Sequence, residues 1–298
     1  AALSAPAAAV VAGTAVAAAP AAPRCPGRSR RREGPRPGRC SAGAEGPTAR
    51  SPLRVLVTGF HDWRELGDCP NLWRCRDNPS CRLLLGMPCS SPPVRRDGQL
   101  PRLLRQELPE VHFTFQTMTT TWGTSHTLDL LAYDVVVHLG LGVYDSRSKL
   151  LLEDGAFNGR AGKDAAGHDA GPTIDMGAGQ VCAHERMSGV VQRLSGRRIA
   201  GYFDVEVPRA RPSNSYICNE THWRALTALR SAERQGDAAL TACFFMHIPM
   251  PAKESFKSPQ HQKAFEERFC DLADDTDYTQ LARGVADLVK LLILEGTA

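Results

Sequence analysis

An α/β fold with a largely parallel sheet is what this sequence predicts. Short apolar segments with the length and composition of buried strands alternate with segments of helical periodicity. The predicted strands are 53–58, 111–116, 133–142, 202–207 and 240–248. Strands that alternate with helices usually form a sheet covered by helices, so we expect an α/β layer structure. Hydrophobic residues make up 42 % of the 298 residues, which is enough for a substantial core.

Each predicted strand is a short apolar run that stops at a turn signal. The first, "LRVLVTGF", runs from Leu53 to Thr58 and stops at Gly59, and "VHFTFQ" and "YDVVVHLGLG" repeat this form. The last, "LTACFFMHI", is followed closely by Pro249, which lacks the N–H that a sheet needs. Continuous apolar runs of this length are typical of strands that are buried on both faces.

Three segments have helical periodicity. In "GQVCAHERMSGVVQRL" (179–194) and in the C-terminal "YTQLARGVADLVKLLILEG" (278–296), apolar residues recur on one face of a helix. The third segment, "ICNETHWRALTALRSAERQG" (217–236), follows the strand 202–207 and a proline-containing loop. We therefore expect a helix that begins close to Cys218.

Residues 1–52 differ in composition from the rest, and we predict that they are a disordered leader outside an α/β domain of residues 53–298. Their Ala-, Pro- and Val-rich start is followed by the basic "RCPGRSRRREGPRPGR", with almost no large apolar side chain to bury. A basic segment with few acids is similar in part to an organelle transit peptide, so an organellar location is an alternative to a cytoplasmic one. A low-complexity tail without a targeting role is the competing interpretation.

Charge and cysteine usage argue against several classes of function. The first 50 residues carry a net charge of +6, which leaves −2 for the rest of a chain whose total is +4. The predicted domain therefore gives no reason to expect nucleic acid as a partner. Past the Ala-rich start, no apolar run is long enough for a membrane span. The ten cysteines include no CxxC pair, so we do not expect a metal site. A disulfide framework is not expected in a domain of this size, and we favour reduced thiols in the cytoplasm.

Cys218 is the candidate nucleophile because it lies at the predicted start of a helix. The helix dipole and the free backbone N–H groups of a first turn favour the thiolate, which is the nucleophilic form of cysteine. A histidine partner would complete the activation, and His247 at the end of the strand 240–248 is the best candidate. The 29 residues that separate the two correspond to one helix and one strand. We therefore expect the strand 240–248 to lie beside the strand 202–207.

The third member of such a site is a carboxylate that orients the imidazole. Glu153, in "KLLLEDGAFNG" after the strand 133–142, fits this role, and Asp154 competes directly with it. His138 in "VVVHLG" has nearly the same setting as His247. The local pattern therefore does not decide between the two histidines.

Taken together, these motifs resemble those of pyroglutamyl peptidase I, a family of cytosolic cysteine peptidases that remove an N-terminal pyroglutamate. "RVLVTGFHDW" is similar to the family's opening strand, R-V-L-V-T-G-F-G-P-F, and "RDNPS" to its N-P-S loop. "DVVVHLGLG", "LLLEDGAFN", "SNSYICN" and "FFMHIP" are similar to its V-H-x-G, glutamate, nucleophile and histidine motifs, in the same order. The resemblance runs from about Arg54 to the C-terminal helix.

The resemblance implies a fold, an activity and a set of site residues. The fold is a single three-layer α/β/α sandwich with a mostly parallel mixed sheet, and the activity is hydrolysis of an N-terminal pyroglutamyl group. The implied catalytic residues are the nucleophile Cys218, the base and acid His247 and the orienting carboxylate Glu153, and the implied substrate-binding residues are Phe60, Trp63 and Asn78. The substrate is a peptide with a blocked N-terminus. No metal, cofactor, nucleic acid or membrane is implied, and a homo-oligomer is compatible with the resemblance.

The sequence departs from the family where the substrate would bind. "GFHDW" replaces G-F-G-P-F, so Trp63 stands at the second aromatic position, which is one wall of the family's lactam pocket. "SNSY" lacks the glycine of the nucleophile motif. Two alternatives therefore stay open. One is a hydrolase for another cyclised or small N-terminal group, and the other is a catalytically inactive homologue that binds a ligand or partner.

Overall fold

The central sheet has seven strands, and all five strands that the sequence predicts belong to it. The computed structural model describes residues 51–61, 78–86, 98–143, 146–236, 240–249 and 275–298. Residues Arg50–Ala298 form one compact unit. The predicted leader lies almost entirely outside the described residues, so its boundary and role stay predictions.

The elements are numbered here in chain order. The strands are β1 (Arg54–Phe60), β2 (His112–Met118), β3 (Val135–Val143), β4 (Lys149–Leu152), β5 (Ala156–Phe157), β6 (Val181–Cys182), β7 (Arg198–Ile199), β8 (Phe203–Glu206) and β9 (Ala242–Pro249). The helices are α1 (Pro79–Leu85), α2 (Gln99–Glu107), α3 (Glu185–Leu194), α4 (Ile217–Gln235) and α5 (Asp275–Thr297), with short 3₁₀ turns at Thr124–Thr127 and Leu130–Ala132. No helix in the described parts of the chain is long and apolar enough to cross a membrane.

The large sheet is mixed and mostly parallel. Its strand order is β2-β1-β3-β9-β4-β8-β7, while β5 and β6 form a separate two-stranded sheet. Strands β2, β1, β3 and β9 are parallel to one another. Strands β4 and β8 are a parallel pair that runs the opposite way, and β7 lies antiparallel to β8 at the edge. The predicted mostly parallel mixed sheet is confirmed.

Helices cover both faces of this sheet. Successive side chains of a strand point to opposite faces, which makes two neighbouring residues of β9 diagnostic. Phe244 approaches α5 so closely that a Cβ on Gly296 would lie 3.0 Å from its ring. The next residue, Phe245, packs on the other face with Ile217, the first residue of α4. The three-layer α/β/α sandwich is therefore confirmed.

Most predicted elements agree with the structure within a few residues, but one helix begins later than predicted. α4 begins at Ile217 as expected, whereas α3 begins at Glu185 and not at residue 179. Val181 instead lies in β6 and pairs with Phe157 of β5. Its side chain is half exposed, so it does not extend the apolar face of α3.

The predicted neighbour of β9 is wrong. The sequence analysis places the strand 240–248 beside the strand 202–207, but β4 lies between β9 and β8. β4 pairs with β9 antiparallel, with Leu151 opposite His247. This insertion of β4 brings the segment after it, which begins at Glu153, next to β9.

The close packing of α5 on the sheet yields a prediction about Gly284. A Cβ at this position would lie 2.2 Å from the ring of the buried Phe203, so Gly284→Ala should lower the free energy of unfolding by about 1–3 kcal/mol through overpacking. Gly189→Ala in α3 is the matched control, because the nearest atom would be the end of Arg193 at 3.7 Å. It should stabilise the protein by up to about 1 kcal/mol through helix propensity. Urea unfolding measures both, and equal stabilisation by the two changes would contradict this packing.

Candidate active site

Cys218 lies where the first turn of α4 meets the sheet. It is the second residue of the helix and is partly exposed. Its sulfur lies directly over Gly140 of β3, where an added Cβ would come within 2.9 Å of Sγ. The N–H groups of Asn219 and Glu220 already donate to the carbonyl of Tyr216, whereas those of Ile217 and Cys218 come before the first intrahelical acceptor, so these two are the donors that the N-terminus of α4 offers beside this sulfur.

Burial separates Cys218 from the other free cysteines that the structure describes, Cys182 and Cys243. Both of these are buried, and burial raises the pKa of each thiol, which disfavours the thiolate. Cys81 in α1 is disulfide-bonded, so the expectation of reduced thiols is wrong at this position. Partial exposure at a helix start therefore makes Cys218 the best nucleophile candidate of the three free thiols.

His247 lies near the end of β9 with its ring over Gly142. A Cβ on Gly142 would come within 2.2 Å of this ring, so only glycine fits there. The imidazole Nδ1 lies 2.7 Å from Oε1 of Glu153, and both side chains are more than nine-tenths buried. Glu153 is held in turn by the sheet, because its N–H donates to the carbonyl of Phe245 at 3.0 Å.

The structure brings together Cys218, His247 and Glu153. Burial alone would lower the pKa of His247, but hydrogen bonds with Cys218 and Glu153, together with the charges of both groups, outweigh burial and raise that pKa well above its ordinary value of 6.5. A protonated imidazole beside a cysteine favours the thiolate. A cysteine next to a carboxylate-bound imidazole is an arrangement that can activate the thiol as a nucleophile.

Asp154 and His138, the alternatives that the sequence left open for the carboxylate and the imidazole, have other partners. Asp154 turns away from His247, and its Oδ2 accepts a hydrogen bond from Gln192 of α3 at 3.0 Å. His138 is fully buried, and its Nδ1 pairs with the Thr58 hydroxyl at 2.7 Å. Burial and, to a smaller extent, the charge of His222 lower its pKa to about 3. Glu153 and His247, rather than Asp154 and His138, thus form the carboxylate–imidazole pair.

Asn219, the residue after Cys218, ties α4 to the segment that follows Glu153. Its Oδ1 accepts from the N–H of Phe157 at 2.8 Å, and its Nδ2 donates to the carbonyls of Phe157 and Gly159 at 2.7 and 3.2 Å. Asn219 is buried. It therefore fixes the distance between the helix that carries the nucleophile and the loop that follows the carboxylate.

Glu220 ties the same helix turn to the segment before the first 3₁₀ turn. Its carboxylate is buried, accepts from the N–H of Gly123 at 3.1 Å, and forms ion pairs with Arg224 and Arg160. The residue before Gly123 is Trp122, and its ring meets the Tyr216 ring edge-on with centroids 5.4 Å apart. Both aromatic side chains are partly exposed, and they pack against the same buried cluster as Cys218.

Of the three predicted substrate-binding residues, two are buried and the third lies outside the described residues. Phe60 is buried in a cluster with Ile217 and Phe245, directly behind Cys218. Asn78 is also buried: its Oδ1 accepts from the N–H of Ser80 and so caps α1, and its Nδ2 donates to the carbonyl of His61. Trp63 lies outside the described residues. A substrate role for all three stays a prediction.

The sequence analysis missed four residues that shape the site: Trp122, Tyr216, Asn219 and Glu220. Tyr216 and Asn219 flank the nucleophile in "SNSYICN", so their place in the motif was a usable signal. Trp122 and Glu220 gave no such signal, because their roles depend on contacts between segments that are distant in the chain. The buried Glu220 in particular is indistinguishable by pattern from a solvated helix residue.

Among known proteins, only solved structures are similar to this chain. No family model and no curated protein sequence matches this chain. A mutant pyrrolidone carboxyl peptidase from Pyrococcus furiosus is 17 % identical with a TM-score of 0.49, over 82 % of this chain and 98 % of that one. Pyroglutamyl peptidase I from Bacillus amyloliquefaciens is 15 % identical with a TM-score of 0.47, over 80 % and 97 % of the two chains.

A third similar structure is the pyrrolidone carboxyl peptidase of Fervidobacterium islandicum. It is 18 % identical with a TM-score of 0.47, over 81 % of this chain and 96 % of that one. These values are too low to decide what this chain does, which depends on the chemistry of its own site.

The role of Asn219 yields a prediction about the first turn of α4. Asn219→Ala should lower the free energy of unfolding by several kcal/mol, because each buried backbone group left without a partner costs about 1–3 kcal/mol. Asn219→Asp keeps the acceptor for the Phe157 N–H but turns a buried carboxylate oxygen toward the carbonyls of Phe157 and Gly159, so it should destabilise the protein at least as much as Asn219→Ala. Thermal unfolding orders the three proteins. A Tm of Asn219→Ala equal to that of wild type would show that these bonds do not hold the segments together.

The two buried histidines predict a loss of stability in acid. Burial is the main cause that lowers the pKa of His138 to about 3 and that of His222 to about 4, from an ordinary value of 6.5 in the unfolded chain. From pH 6.5 down to about 4, the unfolded chain therefore binds protons that the folded protein does not, so stability falls as the pH falls. Each histidine contributes about 1.4 kcal/mol per pH unit to this slope. Urea unfolding of wild type and His138→Gln over this range is the measurement, and equal slopes would contradict the assignment.

Proposed function

We propose that this protein is a cysteine exopeptidase of the pyroglutamyl peptidase I type, which hydrolyses an N-terminal pyroglutamyl group from peptides through Cys218, His247 and Glu153. The observation that carries the proposal is the buried pair of His247 and Glu153, with Nδ1 2.7 Å from Oε1, close to Cys218 at the start of α4. The motif order of glutamate, cysteine and histidine, which resembles that family, supports the same assignment.

Acylation begins with the Cys218 thiolate, which the protonated His247 stabilises. Its sulfur attacks the carbonyl carbon of the pyroglutamyl residue, and the carbonyl electron pair moves to the oxygen. The developing oxyanion needs hydrogen-bond donors, and we assign this role to the backbone N–H of Cys218, since the N–H groups of Asn219 and Glu220 already donate to the carbonyl of Tyr216. His247 then protonates the leaving amine as the C–N bond breaks, which leaves a thioester on Cys218.

Deacylation uses the same residues in reverse. His247, now neutral, removes a proton from a water molecule that attacks the thioester carbon, and it returns a proton to the sulfur as the C–S bond breaks. Glu153 keeps the Nδ1 proton of His247 in place through both steps, so that Nε2 faces the reacting atoms. The products are free pyroglutamate and a peptide with one residue fewer.

The aromatic side chains next to Cys218 support a flat, neutral substrate group. A lactam ring carries no charge, so aromatic walls and backbone hydrogen bonds suit it better than an ion pair would. Tyr216 and Trp122 are partly exposed and in contact with each other, and the charged groups around them are already engaged: Glu220 with Arg224 and Arg160, and Asp164 with the N–H of Trp122. This supports a pyroglutamyl group rather than a charged N-terminus as the substrate.

A fluorogenic pyroglutamyl amide tests the proposal. Cys218→Ala should abolish release of the fluorophore, and His247→Ala should lower kcat/KM by about 10²–10⁴-fold because it removes the general acid and base. Glu153→Gln should cost less, since Glu153 orients His247 and does not react. Cys182→Ala is the matched control at a buried free cysteine, and it should keep kcat/KM near that of wild type.

The same assay separates the competing functions. Parallel assays with prolyl and alanyl amides test for a hydrolase of another small N-terminal group. Folded wild-type protein that releases the fluorophore from none of these amides across neutral and mildly alkaline pH would favour the inactive, ligand-binding homologue. Release that iodoacetamide fails to block would exclude Cys218 as the nucleophile.

A further inference from the structure

A cavity lies next to His247, on the side where β3 and β4 flank β9. Its volume is about 490 Å³, which lies within the range of about 300–1,000 Å³ that is typical of sites for small ligands. Gly142 of β3 and Leu151 of β4 belong to its wall. The proposed reaction steps use none of the side chains that line it.

The wall of the cavity is in direct contact with the imidazole of His247. A Cβ on Gly142 would lie 2.2 Å from Cδ2 and 2.9 Å from Nε2, so this edge of the ring lies over the glycine. Leu151 is opposite His247 in the antiparallel pairing of β4 and β9, so both side chains point to the same face of the sheet. The sulfur of Cys218 lies over Gly140, two residues earlier in β3. The cavity therefore begins beside Nε2, further along β3 than the sulfur.

The order of Sγ, Nε2 and the cavity indicates which part of a substrate would lie in it. In the proposed reaction the carbonyl carbon binds to Sγ of Cys218, and the leaving amine takes its proton from Nε2 of His247. The leaving amine and the peptide attached to it must therefore lie next to the imidazole, and the pyroglutamyl ring lies on the other side of the scissile bond. Trp122 and Tyr216, which pack against the same cluster as Cys218, are available for that ring. The leaving peptide thus continues from Nε2 toward the cavity.

Charged side chains line the cavity beyond Leu151. Lys149 of β4 and Glu206 of β8 point to the same face as Leu151, because Lys149 is two residues before it and Glu206 is its partner in the parallel pairing. Nζ of Lys149 lies 2.9 Å from Oε1 of Glu206, so these two charges are paired. Arg211, which follows β8, also lines the cavity and is exposed, and its side chain has no ion pair or hydrogen bond among the described residues. The described lining of the cavity therefore carries one positive charge that is not balanced.

We propose that this cavity holds the leaving part of the substrate, and that Arg211 makes the protein prefer peptides with an acidic side chain at the first or second residue after the pyroglutamyl group. A carboxylate can accept two parallel hydrogen bonds from a guanidinium group, which a neutral amide cannot match. A lysine side chain would meet the positive charge of Arg211, because Glu206 is already paired. The proposal rests on the proposed function, since that reaction places the leaving peptide beside Nε2.

The test measures peptide binding to Cys218→Ala, which needs no turnover. The peptides have an amidated C-terminus and carry Glu, Gln or Lys at the first or the second residue after pyroglutamate, with Ala at the other position. Isothermal titration calorimetry should show that, at one of these positions, the glutamyl peptide binds about two- to fivefold more tightly than the glutaminyl peptide. The lysyl peptide should bind most weakly. The difference should shrink at high salt, because the ion pair is partly exposed.

Arg209 provides the matched control. It is also an exposed arginine, two residues before Arg211, but it does not line the cavity. In the Cys218→Ala background, Arg211→Gln should abolish the preference for the glutamyl peptide, Arg211→Lys should retain part of it, and Arg209→Gln should retain all of it. Equal or undetectable binding of the glutamyl and glutaminyl peptides at both positions, or an equal loss of preference in the two glutamine variants, would overturn the proposal.

The wild-type protein distinguishes failure of this proposal from failure of the proposed function. Hydrolysis of the fluorogenic pyroglutamyl amide, which has no amino acid after the pyroglutamyl group, tests the proposed function alone. Release of the fluorophore together with equal binding of the peptides would overturn only the role of Arg211. A preference for glutamyl peptides in Cys218→Ala, without hydrolysis of any pyroglutamyl amide by the wild-type protein, would count against the proposed function alone.

Discussion

The hydrogen bond between His247 and Glu153 is the interaction on which the candidate site depends. It forms because β4 lies next to β9 and antiparallel to it, so that the residue after β4 is placed opposite Phe245 and its side chain reaches the imidazole two residues further along β9. A carboxylate in this buried setting is stable only with a close partner. Burial would lower the pKa of His247, but its hydrogen bonds with Cys218 and Glu153 raise that pKa above its ordinary value.

Three successive residues at the start of α4 connect this pair to the rest of the fold. Cys218 faces His247, Asn219 binds the loop after Glu153, and Glu220 binds the backbone next to Trp122. Consecutive residues of a helix point about 100° apart, so one helical turn can meet three separate segments. Cys218, the segment after Glu153 and the backbone next to Trp122 are thus connected through one helical turn.

The layer beneath the site is more polar than the stability of the core requires. His138 and His222 are both buried and uncharged at neutral pH, and each has at least one ring nitrogen without a partner among the described residues. Residues that break a local packing rule without a compensating contact are expected mainly where function constrains the sequence. Both rings lie close to the ring of Phe245, which in turn lies 5.0 Å from the ring of His247, and this position next to the candidate site agrees with that expectation.

The sequence by itself determined the strands β1, β2, β3, β8 and β9, the start of α4, and a short set of candidate residues that includes Cys218, His247 and Glu153. Apolar runs and helical periodicity report burial and local conformation, so these features depend mainly on neighbouring residues. The tertiary structure alone decided that β4 separates β9 from β8, that Glu153 rather than Asp154 reaches His247, and that the chain before α3 forms β6. Strand direction and pairing depend on hydrogen bonds between residues far apart in the chain, and no local pattern of side chains encodes them.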